Sequence, residues 1–326
     1  MTKRLDPRLY QIGALTLLLL YGLTALDFDT TFLRSATVLS AAIGAQALCS
    51  RIWKIAFDPR SAAISGLSLS LLLRSNSAVW LLAAATIAVG SKFVIRWRGK
   101  HIFNPTNIAI VALMLMTSHV WVSPGQWGNV AFFGFLITCL GGLVVNRASR
   151  SDVTYAFIIA WSAVLIGRSL WLGEPLTIPL HRLQNGALLL FTFFMVSDPK
   201  TTPNSRVGRI LFAILVASGA WYVQFKMFHT NAILWSLAAT SLVVPLIDLL
   251  LPAEKYEWFS VLRCPLSVPP ALGQQTTDNR QPIGGLSWSA ASSLPHFSSP
   301  QTPTLSAVSM SPRAMQKSTT TLHKSL

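Results

Sequence analysis

Acidic side chains are scarce in this chain. Among 326 residues there are 11 Asp and Glu against 26 Lys and Arg, and charged residues of both signs make up only 11%. A soluble domain carries about 25% charged residues. With 52% hydrophobic residues and a mean hydropathy of +0.51, the composition excludes one. Cysteine is rare too. Cys49, Cys139 and Cys264 lie far apart without CxxC spacing, which excludes a disulfide framework or a zinc site read from sequence. Cys49 and Cys139 fall in apolar segments and read as buried thiols; the alternative is a ligand set completed by another subunit. Also missing are a Ser-His-Asp order, a Walker loop and a GxGxxG unit followed by an acid, so no conventional soluble nucleotide site is expected. The net charge of +15 would suggest nucleic acid in a soluble protein. In a chain this apolar it reads instead as cations flanking membrane spans and meeting anionic lipid. The lipid bilayer is the expected partner, and nucleic acid is not.

What is present is a series of apolar segments cut by charged or Gly/Pro turns. Lys3, Arg4 and Arg8 precede the first. No small-x-small cleavage site follows it, so it reads as an uncleaved span rather than a signal peptide. Ten candidate spans result: 12–26, 32–49, 61–73, 78–94, 108–122, 130–145, 153–172, 186–196, 210–225 and 232–251. Several are shorter than the roughly 20 residues that cross a bilayer alone. Lys and Arg favour one set of alternate loops; the other set holds only Arg34, Arg74, Arg168, Arg182 and Lys226. The positive-inside rule then places the N-terminus in the cytoplasm.

Ten spans divide into two sets of five, about residues 1–122 and 123–251. An odd number per set requires the second to enter the membrane upside down. The expected fold is therefore all-α and integral to the membrane, with about ten transmembrane helices in two inverted five-helix repeats. Residues 252–326 are rich in Ser, Thr and Pro without sustained periodicity, and read as a disordered cytoplasmic tail.

Two polar turns beside short spans draw attention, because interrupted spans in both halves of a membrane protein point to a buried binding site. Asn104-Pro105-Thr106-Asn107 heads the fifth span. Pro costs no hydrogen bond at a helix start, and the free N–H groups there attract anionic or carbonyl-rich ligands. The amides of Asn104 and Asn107 donate and accept in one plane, as the edge of a flavin or quinone ring requires; an ordinary helix cap is the alternative. Ser197-Asp198-Pro199-Lys200 ends the eighth span. Asp198 is costly there unless paired, whether by a local ion pair in a turn or by a cofactor. The charge pattern puts both turns on one face. On the other face Arg168, His181 and Arg182 precede the eighth span, as interfacial charge or as a phosphate site. No two histidines sit mid-span on facing helices, which disfavours a bis-histidine haem. No metal site is expected.

The stretch Phe193–Pro203 (FFMVSDPKTTP), the loop Ile102–Asn107 (IFNPTN) and ten spans in two fives resemble the NqrB/RnfD family. That family contains the NqrB membrane component of the sodium-translocating NADH:quinone reductase and the RnfD component of Rnf electron-transport complexes. The resemblance covers roughly residues 10–251, and the short segments look closest to UnbU-like members. It implies a flavin-carrying, inverted-repeat bundle in a bacterial-type inner membrane, working with other membrane electron-transport subunits. Asn104, Pro105, Asn107, Ser197 and Asp198 would hold the ring, and Arg182 an outer phosphate. Members attach FMN to a Thr in a SerGlyAlaThr-like motif before the eighth span. Aligned on Pro179-Leu180, Ile178 stands in that Thr position, with Thr177 one residue earlier and no Gly-Ala before it. The resemblance thus implies noncovalent flavin, as FMN or riboflavin, with Thr177 a fallback acceptor for covalent FMN. Two rival functions remain: a secondary transporter of a small anion or pathway intermediate, and a scaffold without cofactor.

Overall fold

Short polar side chains set most helix starts. In the computed structural model, which describes residues 6–26, 28–123 and 130–256 (130–137 and 139 by backbone alone), Asp6, Thr31, Asp58, Ser77, Asn104, Asn185 and Ser205 each accept from a backbone N–H two or three residues on. Each such cap satisfies a donor that the helix itself leaves open. Pro7, Pro59 and Pro105 follow their caps directly, where a missing N–H costs nothing.

The helices so begun are α1 (Pro7–Ala25), α2 (Phe32–Ile52), α3 (Pro59–Leu72), α4 (Ala78–Val94), α5 (Pro105–Met116), α6 (Val130–Arg147), α7 (Ser151–Leu172) and α8 (Thr177–Leu183). Then come α9 (Gly186–Leu190), continued by a π-helical turn Phe191–Met195, and α10 (Arg206–Phe225), α11 (Ala232–Ser241) and α12 (Val244–Leu250). Each of the ten apolar segments falls on these helices. Among the described residues, however, only α1, α2, α7 and α10 are long and apolar enough to cross a bilayer; α11 and α12, bent by 48°, add a fifth span if counted as one. The chain is a multi-pass membrane protein, mostly helical. Of the expected tail, residues 257–326 lie outside the described residues, as does Cys264.

The shortfall has a structural cause. Segment 61–73 closes as α3 and then as strand β1 (Leu73–Ser75), and segment 108–122 as α5 and then as β4 (Val120–Val122). The two strands pair antiparallel, Arg74 opposite Trp121. Ser123 N–H donates to the Leu72 carbonyl at 2.7 Å, and the Ser75 hydroxyl to the His119 carbonyl at 3.0 Å. Non-helical backbone at membrane depth survives only when protein satisfies its polar groups, and this pairing does so. Arg74, 3% exposed, donates to the carbonyls of Ser70 and Leu73 at 2.9 and 3.0 Å. A cation there suits the negative end of α3.

α3 and the α9–π segment form the centre. Ser65 to Leu72 are buried on every face, as are Phe191 to Met195, the pattern of helices enclosed by others. α3 packs on α1 and α2; α10 packs on α7 and α11. At Gly219 of α10 a side chain would run into Ser236 of α11, whose hydroxyl donates to the Val216 carbonyl at 2.6 Å. The hairpin of β2 (Arg96–Trp97) and β3 (Lys100–His101) links α4 to α5.

Ion pairs tie the charged ends of the bundle. Arg209 in the first turn of α10 forks onto Asp152 in the first turn of α7, at 2.5 Å, and also donates to the Asn204 carbonyl at 2.7 Å. Lys100 reaches Asp248 at 2.7 Å. Removing one member of a buried pair strands the other charge and costs about 3–5 kcal/mol. Arg209→Met is therefore expected to lower thermal stability in detergent by an amount of that order, whereas Arg34→Met, at an exposed position, leaves it within about 0.5 kcal/mol. Melting curves of the purified variants check this.

Candidate functional site

Two cavities open into the bundle. One, of about 230 Å³, is headed by Asp58, Asn104, Pro105 and Thr106 and includes Ser61, Ser65, Lys92, His101 and Asp198. The other, of about 470 Å³, is headed by Asn185, Asn231 and Ala232 and includes Arg182 and His229. Each thus takes the starts of two short helices: α3 and α5 for the first, α9 and α11 for the second. Leu72, at the far end of α3, lines the second cavity, while Met195, at the far end of the α9–π segment, lines both. The two central segments therefore run in opposite directions between the same pair of cavities.

In the first cavity the polar turns from the two halves of the chain meet. Asn104 Nδ2 donates to Asp198 Oδ2 at 3.3 Å and to the Met195 carbonyl at 3.4 Å. Its Oδ1 accepts from Asn107 N–H at 3.1 Å and so caps α5. Asp198 folds its own loop: Oδ1 accepts from Lys200 N–H at 3.0 Å. Its main-chain carbonyl accepts from the hydroxyls of Thr201 and Thr202 at 3.3 and 3.0 Å. Each carboxylate oxygen still has a lone pair to offer. Burial pushes the Asp198 carboxyl above its ordinary value, against the Lys200 N–H bond and the charges of Lys92, Lys200 and Arg150. His101 is pushed the other way, down to about 3, by burial and then by Arg96, Lys92 and Lys200. It is neutral at pH 7.

The expected site residues separate. Asn104, Pro105 and Asp198 line the first cavity. Asn107 does not: it is fully buried, and its Nδ2 donates to the Leu234 carbonyl of α11 at 3.2 Å, joining the two halves. Its Oδ1 lacks a partner among the described residues. Ser197 turns back onto its own helix and donates to the Phe193 carbonyl. Arg182 lines the second cavity, 5.5 Å from the Phe225 ring centroid. Arg168 is held by Glu174 at 3.0 Å. Thr177 is exposed at the start of α8 and lines neither cavity.

Sequence reasoning passed over Gln46 and Lys92. Both sit inside apolar helices, α2 and α4, and line the first cavity. Gln46 Oε1 has no partner among the described residues. Lys92 Nζ donates to the carbonyl and hydroxyl of Ser61 at 2.8 and 3.0 Å. A signal existed: polar side chains within spans mark functional pathways by default. Among the described residues no group of His, Cys, Asp or Glu forms a metal site.

What this cavity offers is a set of donors and acceptors beside a cation. Asp198 and Gln46 accept, Lys92 donates, and Asn104 fixes Asp198. These suit the edge of a flavin ring, which presents an N–H flanked by carbonyls. A space of 230 Å³ is below the ~300–1,000 Å³ of pockets that take whole ligands, so it suits a ring with its chain outside.

Residues 115–257 match the model of the NQR2, RnfD, RnfE family. The D-type subunit of the ion-translocating oxidoreductase complex of Erwinia tasmaniensis is 31% identical over 129 residues, 38% of this chain and 34% of that relative. Its namesake from Alcanivorax borkumensis is 31% identical over 127 residues, 38% of this chain and 35% of the relative. That of Escherichia coli K12 is 26% identical over 125 residues, 38% and 34%. The chain thus matches about a third of the length of these relatives. Asp198 and Lys200 lie inside the matched segment; Gln46, Lys92, His101 and Asn104 lie outside it.

The His101 environment has a measurable consequence. The unfolded chain binds a proton there near 6.5, the folded chain only near 3, so the unfolded state holds more protons between these values. Stability therefore falls as pH drops from about 6.5 toward 3. His101→Gln is expected to flatten that part of the curve of melting temperature against pH, with little change above pH 7.

Proposed function

We propose that this chain, whose residues 115–257 carry the NQR2, RnfD, RnfE family match, is a membrane electron-transport subunit that holds a flavin ring in the Asn104–Asp198 cavity. The observation that carries the reading is the 3.3 Å bond between Asn104 and Asp198, which brings turns 94 residues apart to one polar, protein-lined space. A bound flavin would supply the electron acceptance and donation that side chains lack. The chain's own residues position it: Asp198 accepts from the ring N–H, Asn104 holds that carboxylate in place, and Gln46 and Lys92 complete the wall. Apolar Phe194 and Met195 flank the ring space on the α9–π side and limit water.

The larger frame belongs to the same proposal. Ten spans form two inverted sets of five, the Asn104 cavity faces the cytoplasm with both termini, and the kinship with short UnbU-like members rests on the brevity of the apolar segments. Binding is noncovalent; the exposure of Thr177, outside both cavities, supports this over a covalent FMN. Arg182 offers a phosphate contact at the second cavity. The relatives' name, as part of an ion-translocating oxidoreductase complex, supports partner subunits that deliver and remove electrons.

One observation favours a second reading. Among the described residues Met195 alone borders both cavities, an arrangement that also suits a secondary transporter of a small anion gated at that side chain. Uptake by proteoliposomes without any electron donor would select it.

The deciding experiment is absorbance of the intact protein purified in detergent from flavin-replete cells. The flavin band near ~450 nm is expected, and acid precipitation should release it. Asp198→Ala should lower bound flavin about tenfold, since a hydrogen bond to a charged group is worth about 1.5–3 kcal/mol. A folded but colourless wild-type protein would overturn the reading.

A further inference from the structure

Lys92 lines the first cavity and is 6% exposed. An ammonium has three N–H donors. Two go to Ser61, at 2.8 and 3.0 Å, and Ser61 is neutral. No carboxylate forms an ion pair with Lys92 among the described residues. Contrast three other buried cations: Arg8 is held by Asp6 and Asp58, Lys100 by Asp248 and Arg209 by Asp152, while Arg150 lies over the Tyr256 ring at 4.8 Å. A buried charge without a contacting counter-charge costs several kcal/mol, and inside a membrane protein it marks a functional position.

Asp198 and Asp58 attract it from a distance, without an ion pair among the described residues. Facing the cavity are Arg8 from α1, Asp58 from the start of α3, Arg96 and His101 from the hairpin, and Asp198 and Lys200 from the turn after the π-helical segment. Asp58 is engaged by Arg8, and Asp198 is bonded to Asn104 and Lys200 N–H. His101 is neutral. On this wall Arg8, Lys92, Arg96 and Lys200 outnumber Asp58 and Asp198, so Lys92, tied to Ser61, keeps positive charge in excess and one N–H to spare.

We infer that Lys92 is the counter-charge of this cavity, so that the cavity takes its occupant in the monoanionic form with the negative edge against Nζ. This rests on the flavin reading above. For a flavin the consequence concerns the proton count. Reduction of a flavin held here would take two electrons, from a redox centre of a partner subunit, and one proton from solvent. Lys92 would balance the single negative charge so gained. Without the ammonium a second proton is drawn in, because burial disfavours an uncompensated charge. Lys92 thus acts as a positioning residue for charge, through the edge of the ring, and favours reduction.

The test is a spectroelectrochemical titration of the full chain, purified with its flavin, with dithionite as reductant, from about pH 5.5 to 7.5. One proton per two electrons lowers the midpoint potential by about 30 mV per pH unit, and two protons by about 59 mV. The wild-type protein is expected to follow the shallower slope. Lys92→Met and Lys92→Gln are expected to follow the steeper one at lower midpoint potential. The Gln variant keeps a donor toward Ser61 and loses only the charge, which separates a structural tie from a charge effect. Equal slopes in wild type and the Gln variant, or a steep wild-type slope, would overturn the inference and leave the flavin reading intact. A wild-type protein that binds no flavin would overturn both, and would do so before any titration.

Discussion

A helix that stops inside a membrane protein leaves backbone groups that no water can reach, and most of this structure follows from how they are satisfied. α3 and α5 end short of a full crossing. Their ends are closed by the β1–β4 pairing and by Arg74 on the last carbonyls of α3. Their starts are closed by Asp58 and Asn104. The same solution recurs in the second half, where Asn185 caps α9 and a π-helical turn carries the chain to Asp198. Short helices release space at their ends, and the two cavities occupy it.

That space is polar because the caps are polar. Asn104 shows how a structural role and a site coincide. Its Oδ1 is committed to α5, which leaves the amide nitrogen aimed at the Asp198 loop. The bond so formed joins the unmatched first half of the chain to the family-matched second half. A cavity assembled this way cannot belong to either half alone, and its wall contains both Asp198 of the matched segment and residues such as Lys92 and Gln46 outside it.

Charge is distributed with the same economy. Where two elements meet at the bundle's end, a carboxylate meets a cation directly, as in Arg209 with Asp152 or Lys100 with Asp248. Within the cavity the pattern changes, and neutral oxygens of Ser61 hold Lys92. Neutral His101 avoids adding a further cation to a wall already rich in them. Charges paired across elements fasten the bundle, whereas Lys92 in the cavity meets only neutral oxygens directly, which is the contrast behind the proposal for that cavity.

Much of this was legible in order along the chain. Low charge and long apolar content dictated a membrane protein, because unpaired charges are too costly there. Pro and short polar residues before apolar runs marked the helix starts, since capping depends on residues only two or three apart. The turns at Asn104 and Asp198 stood out for the same local reason. What only the tertiary structure decided was direction and partnership. Asn107 was expected beside Asn104 in the site, yet Asn104 is the extended cap before α5 whereas Asn107 lies within its first turn, where its side chain donates to the Leu234 carbonyl of α11. Ser197 spends its hydroxyl on its own helix. Gln46 and Lys92 look like isolated blemishes in apolar segments until packing sets them on one wall. Local capping is written in neighbouring residues; which side chains share a cavity depends on helices meeting from distant parts of the chain, and no short-range pattern carries that.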